Sequence, residues 1–395
     1  MARSHSLRSM FRRAPAALAV FALAAASAAC SGAPVDEDEA EGTASAVSER
    51  PPQFVLLAFD GSKSLSFWNE SREFAKQATR AGKPIKFTYF ISGVYFQADA
   101  DKGVYKGPGR SAGRSDIGFG GAAADIAPRL EQVNLAVAEG HEMASHANGH
   151  FDGSSWSAAD WQSEFEQFDR LVFQGPDGSR RNMRFGPEDV VGFRAPLLGY
   201  SNGLWPTLKA KKFTYDTSKS AAPDYWPQKT DGTWNFPLAQ LVISGTGRRT
   251  LSMDYNFYVA DSRGESDAAN KAKYKRQMVE TYRKYFEGNY YGNRAPVDIG
   301  HHFSKWNGGA YWEAMQEFAL EVCGKPEVKC VTYKELVTFM ESRTSAQIAD
   351  YKNGAFPRMQ RNGGQDSLDD LGDEPATSGE YVGDLPGAHE DHDEE

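Results

Sequence analysis

Apolar and polar positions along the 395-residue chain alternate between two periods. Short apolar runs of strand type recur at 54–59, 85–91, 142–145, 190–193, 213–215, 296–301 and 328–331. Between them, apolar residues fall at helical spacing. Phe67 to Ala81 predicts a helix stopped by Gly82. Ile126, Leu130, Val133 and Val137 form a stripe ending at Gly140. Ser157 and Asp160 make a capping box ahead of Trp161, Phe165, Phe168 and Val172. Helices are also predicted at 204–210, 267–286, 310–322 and from a cap at Thr332 and Glu335 to Met340. Residues 238–257 are β-like but ambiguous. The Gly- and Ser-rich stretch 98–124 reads as a surface insertion that could border a site. No internal repeat is visible. Strand–helix alternation of this kind predicts an α/β protein with a parallel sheet, either closed as a barrel or open and doubly wound.

In both architectures chemistry gathers beyond the C-terminal strand ends. Five predicted strand ends carry ionisable residues. These are Asp60, the pair His146 and His150, Arg194, Asp216, and the pair His301 and His302. His146 and His150 lie four residues apart in Gly140-His-Glu-Met-Ala-Ser-His-Ala-Asn-Gly-His150. On a helical turn that spacing puts both rings on one face, close enough to share a metal ion. On a strand they would be about 13 Å apart, so a metal site requires the strand to break at His146. The alternative is two surface or capping histidines.

Composition narrows the function classes. The net charge of -9 sits mostly in the flanks. Gln365 to Glu395 holds twelve acids and no Lys or Arg, which predicts an acidic, disordered tail. The body is slightly basic but lacks the dense Lys/Arg clusters of a nucleic-acid-binding surface. At the N-terminus, Arg12 and Arg13 precede the apolar run Ala16–Ala29, too short to span a bilayer and shaped like a secretory signal. Ser27-Ala-Ala-Cys30 resembles a bacterial lipobox, with Ser27 where leucine is usual. It predicts lipidation of Cys30, an acidic tether over 30–51, and an exported lipoprotein held at an outer membrane or cell surface. Ordinary cleavage with a periplasmic or secreted product is the alternative. The mature chain is expected to have no transmembrane helix. Only Cys323 and Cys330 remain; in an exported protein they are expected to form a disulfide.

Taken together, the motifs resemble those of the polysaccharide deacetylase (NodB-homology, carbohydrate esterase family 4) proteins, in the family's order from Pro52 to Met340. Leu56-Leu-Ala-Phe-Asp60-Gly-Ser is similar to the first motif. His146-Ala-Asn-Gly-His150 is similar to the second, which implies that both histidines bind a metal. Gly192-Phe-Arg-Ala-Pro196 is similar to the third, which implies that Arg194 holds the base. Phe213-Thr-Tyr-Asp216, with Trp226, resembles the fourth, and Ile299-Gly-His-His302 the fifth, which supplies a general acid. Arg-Ala-Pro followed by Phe-Thr-Tyr-Asp is nearest the chitin deacetylase branch. The resemblance implies a distorted (β/α) barrel of about seven strands over 52–345. It also implies a divalent ion, zinc or else cobalt or nickel, and an N-acetylated polysaccharide substrate.

One departure stands out. Where the family has two adjacent aspartates, a general base and a metal ligand, this chain has Asp60 followed by Gly61. Asp60 is then the base, with the carboxylate ligand missing, or is itself the third ligand beside His146 and His150. Either His302 or His301 would protonate a leaving amine, with Asp216 orienting it. Trp226, Trp306 and Tyr200 are expected to contact sugar. The expected function is metal-dependent removal of N-acetyl or O-acetyl groups from an envelope or extracellular polysaccharide. The alternative is a carbohydrate-binding barrel that has lost turnover.

Overall fold

The computed structural model describes residues 49–360. The signal segment, Cys30, nearly all of the tether and the chain beyond 360 lie outside the described residues.

The element order begins β1 (Gln53–Asp60), α1 (Leu65–Arg80), β2 (Phe87–Ile91), α2 (Ala123–Ala138), β3 (Glu142–Ser145), α3 (Ala158–Phe173), β4 (Gly192–Phe193), α4 (Leu204–Ala210) and β5 (Tyr215–Asp216). Five short strands follow: β6 (Ser220–Ala221), β7 (Gln228–Thr230), β8 (Thr233–Asn235), β9 (Leu238–Val242) and β10 (Arg249–Leu251). The chain then runs α5 (Asp254–Ser262), α6 (Lys271–Tyr291), β11 (Val297–His302), α7 (Trp306–Val322), β12 (Val328–Cys330), α8 (Tyr333–Glu341) and α9 (Ser345–Asn353).

The strand order is β11-β1-β2-β3-β4-β5-β8-β7, with β12 also on β1. Every pairing from β11 to β8 is parallel. A smaller sheet, β10-β9-β6, bridges the remaining gap. Within it Leu238 N donates to Lys219 O at 3.0 Å, and it meets β11 where Gly300 N donates to Ser252 O at 2.9 Å. The result is a distorted (β/α) barrel.

Period-2 alternation divides the side chains between two layers. Val55, Leu57, Phe59, Phe87, Tyr89, Ile91, Met143, Phe193, Val297 and Ile299 point outward into the helix–sheet core. Phe54, Leu56, Ala58, Phe90, Ala144 and Tyr215 point inward, and α8 packs Tyr333, Leu336 and Met340 into the same inner cluster. Phe67, Trp68, Phe303 and Trp312 surround Phe59 and Tyr89 in an aromatic core between sheet and helices.

Three expectations change. Residues 238–257 are not all β-like: β10 ends at Leu251 and α5 begins at Asp254. The body also continues past the boundary expected at 345. In that stretch α9 buries Tyr351 against Trp226 and Phe339, and Phe356 follows it into the inner cluster. An apolar face remained beyond α8, and these aromatics cover it. The insertion at 98–124 is partly built in, because Tyr105, Ile117 and Phe119 are buried in the outer core. Cys323 and Cys330 are joined in a disulfide, Cα atoms 5.8 Å apart. No helix among the described residues is long and apolar enough to cross a membrane.

Candidate active site

Inward-facing residues at the C-terminal ends of β1, β2, β3 and β11 converge on one cleft of about 350 Å³. Asp60, His146, His150 and His302 border it, together with Ser62 and Ser92.

Asp60 ends β1 and is buried. Its Oδ1 accepts a hydrogen bond from Arg194 Nη1 at 2.8 Å. Burial pushes the carboxyl up, but Arg194 and the nearby histidines outweigh it and hold Asp60 below its usual range. It is therefore ionised at neutral pH. Arg194 is itself fully buried, with Nη2 donating to Thr217 and to Tyr333 Oη at 3.1 Å and the guanidinium 4.4 Å over the Phe90 ring. Gly300 makes room for it: a Cβ there would lie 2.9 Å from Nη1. Removing one partner of such a buried pair costs about 3–5 kcal/mol. Asp298, hydrogen-bonded by Tyr333 Oη, lies 3.8 Å from Arg194; burial pushes it up to about 7.

His302 pairs with Asp60 in the β1–β11 register, so acid and base candidates share one rung and one face. Its Nδ1 lies 2.7 Å from Asp254 Oδ1, and its backbone N donates to the other oxygen at 3.0 Å. The carboxylate of Asp254 thus fixes the orientation of the His302 ring. His301 has the opposite parity. It faces the outer layer beside Phe59, bonds Tyr282 Oη at 3.1 Å, and burial pushes it down to about 4. Of the two, His302 borders the cleft and His301 is turned away from it.

Asp216 does not reach a histidine. It pairs with outward-facing Phe193 and accepts hydrogen bonds from Ser218 N and Ser218 Oγ at 3.0 and 2.6 Å. The carboxylate that contacts His302 is Asp254. Asp254 follows β10, a strand end hidden in the ambiguous stretch, and that strand was the signal that could have exposed it.

The β3 strand stops at Ser145, as a metal site requires, and the chain turns at His146. Ala147 and His150 adopt positive φ of 53° and 59°. The two rings sit 5.2 Å apart. His146 Nδ1 lies 2.8 Å from Arg194 O, so it donates there and leaves Nε2 as a lone pair; Nε2 is buried without a partner. The turn is clamped from below. Glu164 Oε1 accepts from Asn148 N at 3.0 Å and from Tyr105 Oη at 2.9 Å, while Tyr105 Oη accepts from Gly149 N at 3.2 Å. Neither Glu164 nor Tyr105 stands out in the sequence.

The orphaned Nε2 and the paired rings fit two donor positions of a divalent ion. Among the described residues no three His, Cys, Asp or Glu side chains converge closely enough to share one. Asp60 borders the same cleft with its Oδ1 engaged by Arg194. The donors therefore suit an ion held by two imidazoles, short of the usual three-ligand catalytic zinc site.

Of the expected sugar contacts, Trp226 is buried and structural, its Nε1 donating to Asn293 O at 2.8 Å. Tyr200 lies at the surface beside Trp205 and does not border the cleft. Trp306 stacks on Tyr258 with its ring 5.3 Å from that of His302, at the edge of the site. Arg129, also unforeseen, donates to Lys63 O, Tyr95 O and Gly120 O and ties the insertion to the cleft wall.

No family model and no curated protein matches the chain. Solved structures do. A putative polysaccharide deacetylase from Mycobacterium smegmatis is 14% identical with a TM-score of 0.44, covering 81% of this chain and 100% of its own. The Xyl-CE4 domain of a multidomain xylanase from the hindgut metagenome of Trinervitermes trinervoides is 16% identical with a TM-score of 0.39, covering 74% and 93%. A CE4 family pseudoenzyme from Bacillus anthracis is 8% identical with a TM-score of 0.38, covering 72% and 66%. The chemistry proposed below rests on this chain's own geometry.

Proposed function

We propose that the chain is a polysaccharide deacetylase-type hydrolase (carbohydrate esterase family 4) that removes acetyl groups from an N-acetylated or O-acetylated polysaccharide. The observation that carries this reading is the rung Asp60–His302. An ionised carboxylate held by Arg194 stands beside a histidine backed by Asp254, in the cleft that holds the His146–His150 pair. Hydrolysis needs these two groups together. Asp60 takes a proton from water as the water oxygen bonds to the acyl carbon. The carbon–nitrogen or carbon–oxygen bond then breaks, and its electron pair leaves with the amine or alcohol, which takes a proton from His302. Arg194 keeps Asp60 ionised and aimed. A zinc, cobalt or nickel ion on His146 and His150 would supply Lewis-acid polarisation of the acyl carbonyl. Trp306, beside His302, is the aromatic residue that would contact a sugar ring.

The N-terminal segment supports an exported, Cys30-anchored protein, and so an envelope or extracellular substrate. Gly61 favours a second reading, a sugar-binding barrel without turnover. Metal content measured alongside acetate release from N-acetylglucosamine oligomers tests both. The expected result is acetate release that falls on chelation, in Asp60→Asn and in His146→Ala. Oligomer binding with neither metal nor acetate would establish the second reading instead.

A further inference from the structure

Three buried polar atoms bordering the cleft make no hydrogen bond among the described residues: Ser62 Oγ, Ser92 Oγ and His146 Nε2. Strand register sets two of them side by side. Ile91 pairs with Ser145, so Ser92 and His146 occupy the next rung, and Gly93 N donates to Ala147 O at 3.0 Å just beyond. Asp60 pairs with Phe90, and Gly61 N donates to Phe90 O at 3.1 Å. Ser62 and Ser92 are each two residues further on. Alternation puts Ser92 on the inward side with Phe90 and Ala144, while Ser62 follows the turn at Gly61, which ends β1, and borders the same cleft.

No structural task uses either hydroxyl. Ser92 precedes a 3-10 turn at Gly93–Phe96 without a side-chain cap bond. Ser62 offers only its carbonyl, to Trp68 Nε1 at 3.0 Å. An unmet buried hydroxyl costs about 1–3 kcal/mol, so two beside a third unmet atom mark a place where a ligand completes the bonding. Between Ser62 and Asp60 lies Gly61, with φ of 83° and nothing within 4 Å of where its Cβ would be. The space of the missing side chain is open.

We propose that the hydroxyls of Ser62 and Ser92 donate hydrogen bonds to the acyl oxygen of the substrate, and then to the carboxylate of the released acid. This rests on the acyl-hydrolase reading and adds two substrate-contacting residues to it. A hydroxyl hydrogen can follow the oxygen as charge builds on it, and such bonds strengthen in the transition state. His146 Nε2 carries a lone pair and does not donate to that oxygen. The two serines therefore supply donors on the side where this chain lacks a carboxylate.

Acetate is the probe. Its dissociation constant is measured by calorimetric titration on the full chain and on Ser62→Ala, Ser92→Ala and the double variant. Thermal midpoints without acetate serve as the folding control. Each single change is expected to weaken acetate about tenfold and the double about a hundredfold, at 1.4 kcal/mol per tenfold. The acetate-free midpoint should hold or rise, because an unmet hydroxyl is removed. Ser62→Cys and Ser92→Cys keep the volume with a weak donor, and decide the matter if an alanine variant fails to fold. Acetate affinity unchanged in the double or cysteine variants, or no acetate binding by the parent protein, overturns the proposal. Acetate held through the serines by a protein that releases none from N-acetylglucosamine oligomers leaves the serine site standing and overturns the hydrolase reading.

Discussion

Two carboxylates of one residue type have opposite fates in this chain. Asp216 lies in a motif and serves its own loop; Asp254 lies in none and holds His302. Asp254→Asn is expected to lower kcat for acetate release about 10- to 100-fold with KM little changed, because His302 loses the carboxylate that holds its ring. Asp216→Asn should leave kcat within a few-fold and show up in thermal stability. Equal losses of kcat would remove the assignment to Asp254. Gly61 yields a gain-of-affinity prediction. A carboxylate there has room, at a strain of about 1–2 kcal/mol for the left-handed backbone. Gly61→Asp should tighten zinc binding by about tenfold or more, since it adds a third protein donor to the two histidines. Zinc titration by calorimetry reads it, and an unchanged constant would mean that the two rings are not the metal donors.

Among the elements, the turn after β3 shows what a short segment requires from the rest of the fold. Two non-glycine residues in the left-handed region are held by the Glu164–Tyr105 clamp, where the carboxyl is fully enclosed. Burial pushes Glu164 up to about 7 from an ordinary 4.5. A carboxyl raised on folding contributes stability below its unfolded value, and this is lost as pH rises through the folded one. Glu164 should therefore cost the parent protein stability between pH 4.5 and 7, up to on the order of 3 kcal/mol. Glu164→Gln does not titrate, so relative to the parent it should gain stability on going from pH 4.5 to 8. Chemical denaturation at the two pH values measures the difference, and a pH-independent gap would show that the carboxyl is not buried in solution. The same scale decided between His301 and His302. The strand was legible from its apolar run, but which face looks inward depends on its neighbours, and Phe59 pairing with His301 assigned it.

Across the whole molecule, the barrel extends beyond the segment that carries the motifs. Ending the chain after Arg343 would strip Tyr351 from Trp226 and Phe339, together with Phe356 packed on it, uncovering the inner cluster at one end. Loss of two buried aromatics should cost on the order of 4 kcal/mol. The cost should appear as a lower denaturation midpoint with acetate binding retained, because the cleft lies at the other strand ends.

By itself the sequence determined the alternation of strands and helices, a parallel sheet that was either a barrel or doubly wound, and the places where chemistry collects. Apolar periodicity and strand-end position are local properties, written in a few consecutive residues. Asp60, His146, His150 and Arg194 were all legible in this way. Only the tertiary structure selected His302 over His301 and recruited Asp254 from 48 residues away. It also turned Trp226 into a packing residue, paired Asp60 with Arg194 and brought Ser62 and Ser92 to one cleft. Each of these outcomes depends on register and on which side of a strand the interior falls. Both are set by pairing with distant chain segments and by burial, which no local pattern encodes.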